Sequence, residues 1–264
     1  MITYNLLNKY NEIAHFCTSR KGGVSVGNYA SFNLSPFSGD DLIDFTENKK
    51  ILCRRLGIDA QQLIIPFQTH GTEIREIDEA FFRLSDAEKL QYLNGIDAVF
   101  TNQPEVCIGV STADCVPLLF FDPTKKVVAA AHAGWRGTCA RIAEKTISAL
   151  TDRYNCNPGD IRVVIGPSIS AAVYEVGQEV VEKFKEQDFD IAKIVEKRGD
   201  SLFLDLWKAN QQSLENGGIV PEHIEISGIC TFTEHEKFFS ARQLGIKSGR
   251  MLSGIMLKTI QQVN

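Results

Sequence analysis

No CxxC pair, no run of lysines and arginines, and no apolar stretch near the ~20 residues of a membrane-spanning helix occurs in this sequence. Each absence removes a class of protein. With no basic stripe and a net charge of −5, the chain lacks the electrostatic footprint of a nucleic-acid binder. With no spanning segment, no membrane partner is expected. Met1 to Tyr10 hold no basic stretch followed by an apolar core, so no export signal is read and the expected location is cytoplasmic. The seven cysteines are odd in number and irregularly spaced, which argues against a disulfide framework. Most of them should be small buried hydrophobes.

What is present is an ordinary folding composition. Hydrophobic residues make up 44% and charged residues 23%, so the chain can bury a core and is not disordered. No repeat, low-complexity tract or linker divides it, and residues 1–264 read as a single domain. Strands are expected near 12–18, 62–69 and 73–77, with helices over 43–56 and 84–92. Gly22, Gly23, Gly27 and Asn28 punctuate a turn-rich loop between the first strand and the first helix. The centre holds three short apolar runs, 106–111, 116–121 and 126–132, bounded by turn signals, as strands buried on both faces require. Thr138 is expected to cap a helix to Leu150, since Cys139, Ile142, Ala143, Thr146, Ile147 and Leu150 form one helical stripe. A strand at 161–166, helices at 176–187 and 205–216, and strands at 224–229 and 251–258 complete the reading. The class is α/β or α+β with buried mixed sheets.

Three segments put reactive side chains beside small or turn residues: Phe67-Gln68-Thr69-His70-Gly71, Ser111-Thr112-Ala113-Asp114-Cys115-Val116-Pro117, and Ala131-His132-Ala133-Gly134-Trp135-Arg136-Gly137-Thr138. Singly, a histidine at a strand end is a core residue with one hydrogen bond, and a lone cysteine is an inert thiol. Together, His70, Cys115 and His132 are a possible ligand set. Two imidazoles and a thiolate suit zinc or copper, and three protein ligands leave a fourth position open, the catalytic arrangement. Their spacing is no local zinc signature, so the residues alone leave both readings open.

These segments resemble the signature of the laccase-domain family, also described as polyphenol-oxidase or multicopper-oxidoreductase-like proteins and assigned purine nucleoside phosphorylase and adenosine deaminase activity. The resemblance extends along nearly the whole chain. It takes in Thr18 to Ser25, Asn28 to Leu34, Gly39 to Asp41, Gly166-Pro167, Tyr174-Glu175-Val176, Cys230-Thr231, Phe239-Ser240 and Gly249-Arg250. It implies two mixed sheets packed between helices in α/β/β/α layers. It also implies metal ligation by His70, Cys115 and His132, with zinc as the cofactor and copper as the alternative. The implied partners are purine nucleosides and phosphate. The reaction would be phosphorolysis of adenosine, inosine and S-methyl-5′-thioadenosine, with adenosine deamination as a second activity. The chain departs from the family pattern at Phe37, where a histidine is frequent, at Lys49, and at Ser168, Ala172 and Val173, where cysteines are frequent. With those cysteines absent and only five histidines, His15, His70, His132, His223 and His235, recruitment of several copper ions is disfavoured.

Under this reading Arg136 is the expected phosphate fork, with Arg20, Arg242 and Arg250 as further candidates. A nest of the Gly22 and Gly23 N–H groups could also take an anion. Deamination needs a carboxylate that is not a ligand, and Asp114 and Glu175 are the candidates. Tyr174 or a nearby phenylalanine could stack on the purine. Two alternatives belong to other classes: a copper-dependent polyphenol oxidase, and a metal-free hydrolase with Cys115 as nucleophile and His132 or His70 as base.

Overall fold

A computed structural model describes residues 1–259. Its strands are β1 (Ile13–Cys17), β2 (Leu63–Ile64), β3 (Ile74–Glu76), β4 (Ala98–Thr101), β5 (Cys107–Thr112), β6 (Val116–Asp122), β7 (Val127–Ala133), β8 (Arg162–Ile165), β9 (Glu175–Val176), β10 (Val195–Arg198), β11 (Ser201–Leu204), β12 (Ile224–Ile226) and β13 (Met251–Leu257). Its helices are α1 (Leu42–Leu56), α2 (Glu79–Arg83), α3 (Asp86–Tyr92), α4 (Trp135–Cys139), α5 (Ile142–Tyr154), α6 (Gln178–Glu186), α7 (Ile191–Ile194), α8 (Leu206–Asn216) and α9 (Ala241–Leu244).

Two mixed sheets carry the fold. One has the order β12-β8-β6-β7-β4-β3 and the other β1-β13-β5-β2. Side chains alternate across each strand, so the buried strands feed two layers at once. In β6, Val116, Leu118 and Phe120 pack with Ile142, Ile147 and Leu150 of α5 and Leu206 and Leu214 of α8. Leu119 and Phe121 point the other way, into a cluster with Ile108 and Val110 of β5 and Met251 and Ile255 of β13. On the far face of the second sheet, Cys107, Leu252 and Met256 pack against Leu52 and Cys53 of α1. The layers therefore run α/β/β/α, and apolar runs without polar alternation are what strands covered on both faces require.

The structure corrects several boundaries. The strand expected at 62–69 stops at Ile64. Pro66 lacks an N–H for a ladder, and the N–H groups of Thr69, His70 and Gly71 turn instead to the Asp97 carboxylate. Thr138 does not cap a helix. It lies inside α4, its hydroxyl donates to the Ala133 carbonyl, and α5 restarts after Arg141, whose φ of 61° breaks the helical path. The strand β4, the hairpin β10–β11, and a third sheet of order β10-β11-β9 were not expected. The Gly22 and Gly23 N–H groups both donate to Ser31 Oγ, so they are spent within their own loop rather than forming an anion nest. Buried Asn48 of α1 completes that loop, donating to Ser25 Oγ and to the Ser31 and Asn33 carbonyls.

Candidate metal centre

Cys115 precedes β6, and His132 is the penultimate residue of β7. The antiparallel register sets Val116 opposite Ala133 and Pro117 opposite His132, which brings the two reactive residues to the same end of the hairpin. His70 arrives from the loop after β2. The imidazole nitrogens of His70 and His132 and the Cys115 Sγ offer donor atoms that all lie within 4.8 Å of one another. The two imidazole rings meet edge to face with centroids 4.8 Å apart. His132 is buried, Cys115 partly buried and His70 exposed, so the cluster meets solvent at His70.

Asp97, just before β4, holds two of these segments. It is fully buried, and its carboxylate accepts from the N–H groups of Thr69 (3.2 Å), His70 (3.0 Å) and Gly71 (2.7 Å). That arrangement is met with His70 at φ 63°, in the left-handed region. The same carboxylate accepts from His132 Nδ1 at 2.8 Å, and the Asp97 carbonyl accepts from the His132 N–H at 2.7 Å. With Nδ1–H committed to a carboxylate, Nε2 is the atom left for a metal, the tautomer that carboxylate–histidine–metal arrangements use.

Burial opposes charge on all three central groups, yet the cluster overcomes it. Burial pushes the Cys115 thiol up, but the charge of His132 and hydrogen bonds from His132 and His70 bring it down to about 6. Burial pulls His132 down, but the Cys115 thiolate and the Asp97 carboxylate raise it to about 9. Burial raises Asp97, and the His132 hydrogen bond and charge, with the Gly71 and Thr69 N–H groups, hold it below the usual carboxylate range. Both shifts run in the direction that favours a thiolate on Cys115 beside a protonated His132. Burial instead pushes Cys17 up to about 12 and Cys53 and Cys139 upward, marking them as inert thiols.

The cradle fits a metal. A Cβ built on Gly134 would stand 3.0 Å from His70 Cδ2, 3.1 Å from Cys115 Sγ and 3.7 Å from His132 Nε2, so only glycine leaves the space between the donors clear. The donor set, two imidazoles and an ionised thiol, suits zinc or copper. Among the described residues no second group of three His, Cys, Asp or Glu donors gathers.

Of the other expected site residues, Arg136 lines the same cleft, a cavity of about 420 Å³. It is exposed, lies 4.4 Å over the Trp135 ring, and makes no ion pair among the described residues. Arg250 lines the cleft too, but its guanidinium donates to the Ser248, Gly249 and Ile246 carbonyls. Arg20 is not in the cleft wall. It donates to the Ala30 and His235 carbonyls and stacks on Phe239. Asp114, at φ 84°, has both carboxylate oxygens engaged, by Thr231 Oγ1 (2.7 Å), Ser240 Oγ (2.9 Å) and the Arg242 N–H (2.7 Å). Glu175 is exposed and accepts from Ser201 Oγ. Tyr174 lies under the Arg242 guanidinium at 5.4 Å; burial and the charge of Cys115 push its phenol up to about 12. Asp97 escapes the sequence reading, and Gly134, Phe37 and Phe67, though named in it, are given no role of their own. For Asp97 a signal existed: one acid inside the apolar run Ile96 to Phe100.

Fold and site together define a mixed α/β protein with a cleft at the end of its central hairpin where three side chains that could hold a metal converge. The chain belongs to the family described as multi-copper polyphenol oxidoreductase laccase, whose model matches residues 14–258. It is 42% identical over 259 residues, 97% of this chain and 96% of the relative, to a purine nucleoside phosphorylase of Bacteroides thetaiotaomicron. It is 39% identical to adenosine deaminase RL5 of an unknown prokaryotic organism, over 92% of this chain and 93% of that one. Among solved structures, the hypothetical protein YfiH of Bacillus licheniformis superposes with a TM-score of 0.88 at 32% identity, covering 94% of both chains. No helix among the described residues is long and apolar enough to cross a membrane.

Two outcomes are expected of this geometry. Gly134 has φ −63° and ψ 168°, which alanine adopts freely, so Gly134→Ala should fold normally while crowding the donors. Overpacking of this kind should weaken zinc affinity roughly fivefold to a hundredfold in a competition titration with a chromogenic chelator. Unchanged affinity would place the metal elsewhere. In the interval above neutral pH and below about 9, metal displaces the Nε2 proton of His132. Zinc affinity should therefore rise about tenfold per pH unit there and level off above it. A flat profile across that interval would contradict the imidazolium assignment.

Proposed function

We propose that the chain is a metal-dependent purine nucleoside phosphorylase acting on adenosine, inosine and S-methyl-5′-thioadenosine, with adenosine deamination at the same centre. The observation that carries this reading is near full-length similarity to a purine nucleoside phosphorylase combined with an assembled His70, Cys115 and His132 cluster. Similarity to an adenosine deaminase supports the second activity. These three residues would hold zinc, with copper as the alternative, and a metal held there would supply Lewis acidity and lower the pKa of a bound water for deamination.

The chain's own residues supply the rest. Arg136, free of a carboxylate and stacked on Trp135, offers a planar fork for phosphate beside the donors. Asp114 is a positioning residue in this reading. Three donors fill its oxygens, and its bonds to Thr231, Ser240 and Arg242 fix the turn that presents Cys115. Glu175 stays the candidate proton shuttle, and reaching the cleft requires it to leave Ser201. Tyr174, neutral at physiological pH and flanked by Arg242, is the candidate substrate contact on the Cys115 side. A metal-free hydrolase would also use the Cys115–His132 pair, and it differs by keeping full activity in chelator. Polyphenol oxidation with several coppers has no second donor cluster among the described residues to support it.

Purified protein incubated with adenosine or inosine in phosphate should yield free base and ribose 1-phosphate. Moving to a non-nucleophilic buffer should stop base release and leave deamination. Arg136→Lys keeps the charge but loses the fork, so the KM for phosphate should rise about tenfold to a hundredfold, a charge-assisted hydrogen bond being worth ~1.5–3 kcal/mol. Metal content should not change. Base release without ribose 1-phosphate would make the protein a hydrolase, and an unchanged phosphate KM would move the phosphate site away from Arg136.

A further inference from the structure

We infer that Phe37 and Phe67 form an aromatic lip that seats the flat face of the nucleobase at the mouth of the metal cleft. The inference rests on the nucleoside reading above for its ligand and on the following geometry for its place.

The cleft is two-toned. Its lining includes the His70 and Cys115 donors and the Arg136 guanidinium, which suit ribose hydroxyls and phosphate, while the Gln68 amide is spent on the Ser111 backbone. The same lining includes Phe37, Phe67 and Ile246, which stand exposed at the surface and whose side chains offer no hydrogen bond. A nucleoside has the same division, a polar sugar joined to a broad apolar ring face. Orientation follows: sugar and phosphate toward the donors, base toward the exposed rings.

Among the described phenylalanines, these two are the exposed ones. Phe16, Phe32, Phe120, Phe121, Phe184 and Phe239 are all almost fully buried, whereas Phe37 is 46% and Phe67 38% exposed. Their centroids are 4.6 Å apart with the planes tilted by 60°, an open wedge rather than a closed stack. Exposure of this kind usually belongs to mobile loops, but here both backbones are fixed. The Phe37 N–H donates to Ser35 Oγ, while Asn33 bonds the Ser35 N–H, the Ser35 carbonyl and Ser38 Oγ. The Phe67 N–H donates to the Leu93 carbonyl, and its own carbonyl accepts from the Gly95 and Ile96 N–H groups. Two aromatic faces are therefore held at the entrance at a standing hydrophobic cost, which contact with a flat ligand would recover.

The test uses the metal-loaded protein and adenine itself as probe, so binding is read without turnover. Equilibrium dialysis with labelled adenine is compared among wild type, Phe37→Ala, Phe67→Ala and the tyrosine variants at both positions. Each alanine variant should bind adenine roughly fivefold to a hundredfold more weakly, the range for losing one base–aromatic stack. The tyrosine variants should retain wild-type affinity, and metal content and melting temperature should be unchanged in all. Wild-type protein that binds no adenine, or alanine variants that bind it as wild type does, would overturn the lip. If lip-dependent adenine binding is found but no nucleoside releases base, the phosphorylase reading fails and the lip stands. If base release proceeds with unaltered nucleoside KM in the alanine variants, the reverse holds.

Discussion

The buried carboxylate of Asp97 is the constraint on which the site depends. An ionised acid withdrawn from water costs several kcal/mol unless its oxygens are satisfied. Here three consecutive N–H groups and one imidazole satisfy it. The two requirements act on different parts of the chain. Curling Thr69, His70 and Gly71 around one carboxylate ends the strand begun at Leu63 and turns His70 toward the hairpin. Accepting from His132 Nδ1 fixes the ring and leaves Nε2 facing Cys115 and the Gly134 gap. One residue thereby sets the positions of two donors that lie far apart in sequence.

The surrounding fold supplies rigidity rather than chemistry. Cys115 and His132 flank the most buried hairpin of the molecule, β6–β7, packed by helices on one side and the second sheet on the other. Asp114 does for Cys115 what Asp97 does for the histidines, using hydroxyl and N–H donors from 231 to 242 to hold a left-handed turn. The cleft side is built from loops, including the 22–38 segment that Asn48 ties to α1. His132 is held on a strand and His70 and Cys115 on loops pinned by buried carboxylates, so loop residues here carry chemistry as well as cleft wall.

Much of this was legible in the sequence because the apolar runs at 106–111, 116–121 and 126–132 have no polar alternation, and strands buried on both faces need none. The donor residues were legible for a different reason: His70, Cys115 and His132 sit in segments that resemble a known signature. What stayed hidden depended on partners distant in the chain. Thr138 looked like a cap because capping is local, whereas its hydroxyl is taken by Ala133 and the helix restarts after Arg141. Gly22 and Gly23 looked like an anion nest until Ser31 was seen to fill it. Arg20 and Arg136 look alike as sequence, and only the carbonyls that occupy one guanidinium separate a brace from a free fork. Strand β4 is only four residues long, and Asp97 directly before it breaks the apolar run from Ile96 to Phe100 that would have marked it.

The measurement that bears most directly on this account is zinc titration of chelator-treated protein, wild type against Asp97→Asn. Wild type should take up one equivalent. The asparagine variant, which keeps the shape but turns an N–H donor toward groups that need an acceptor, should bind tenfold to a hundredfold more weakly, as loss of an outer partner of a ligating histidine does. Equal affinity in the two proteins, or no stoichiometric uptake by wild type, would contradict the assignment of this cluster as a metal centre organised by Asp97.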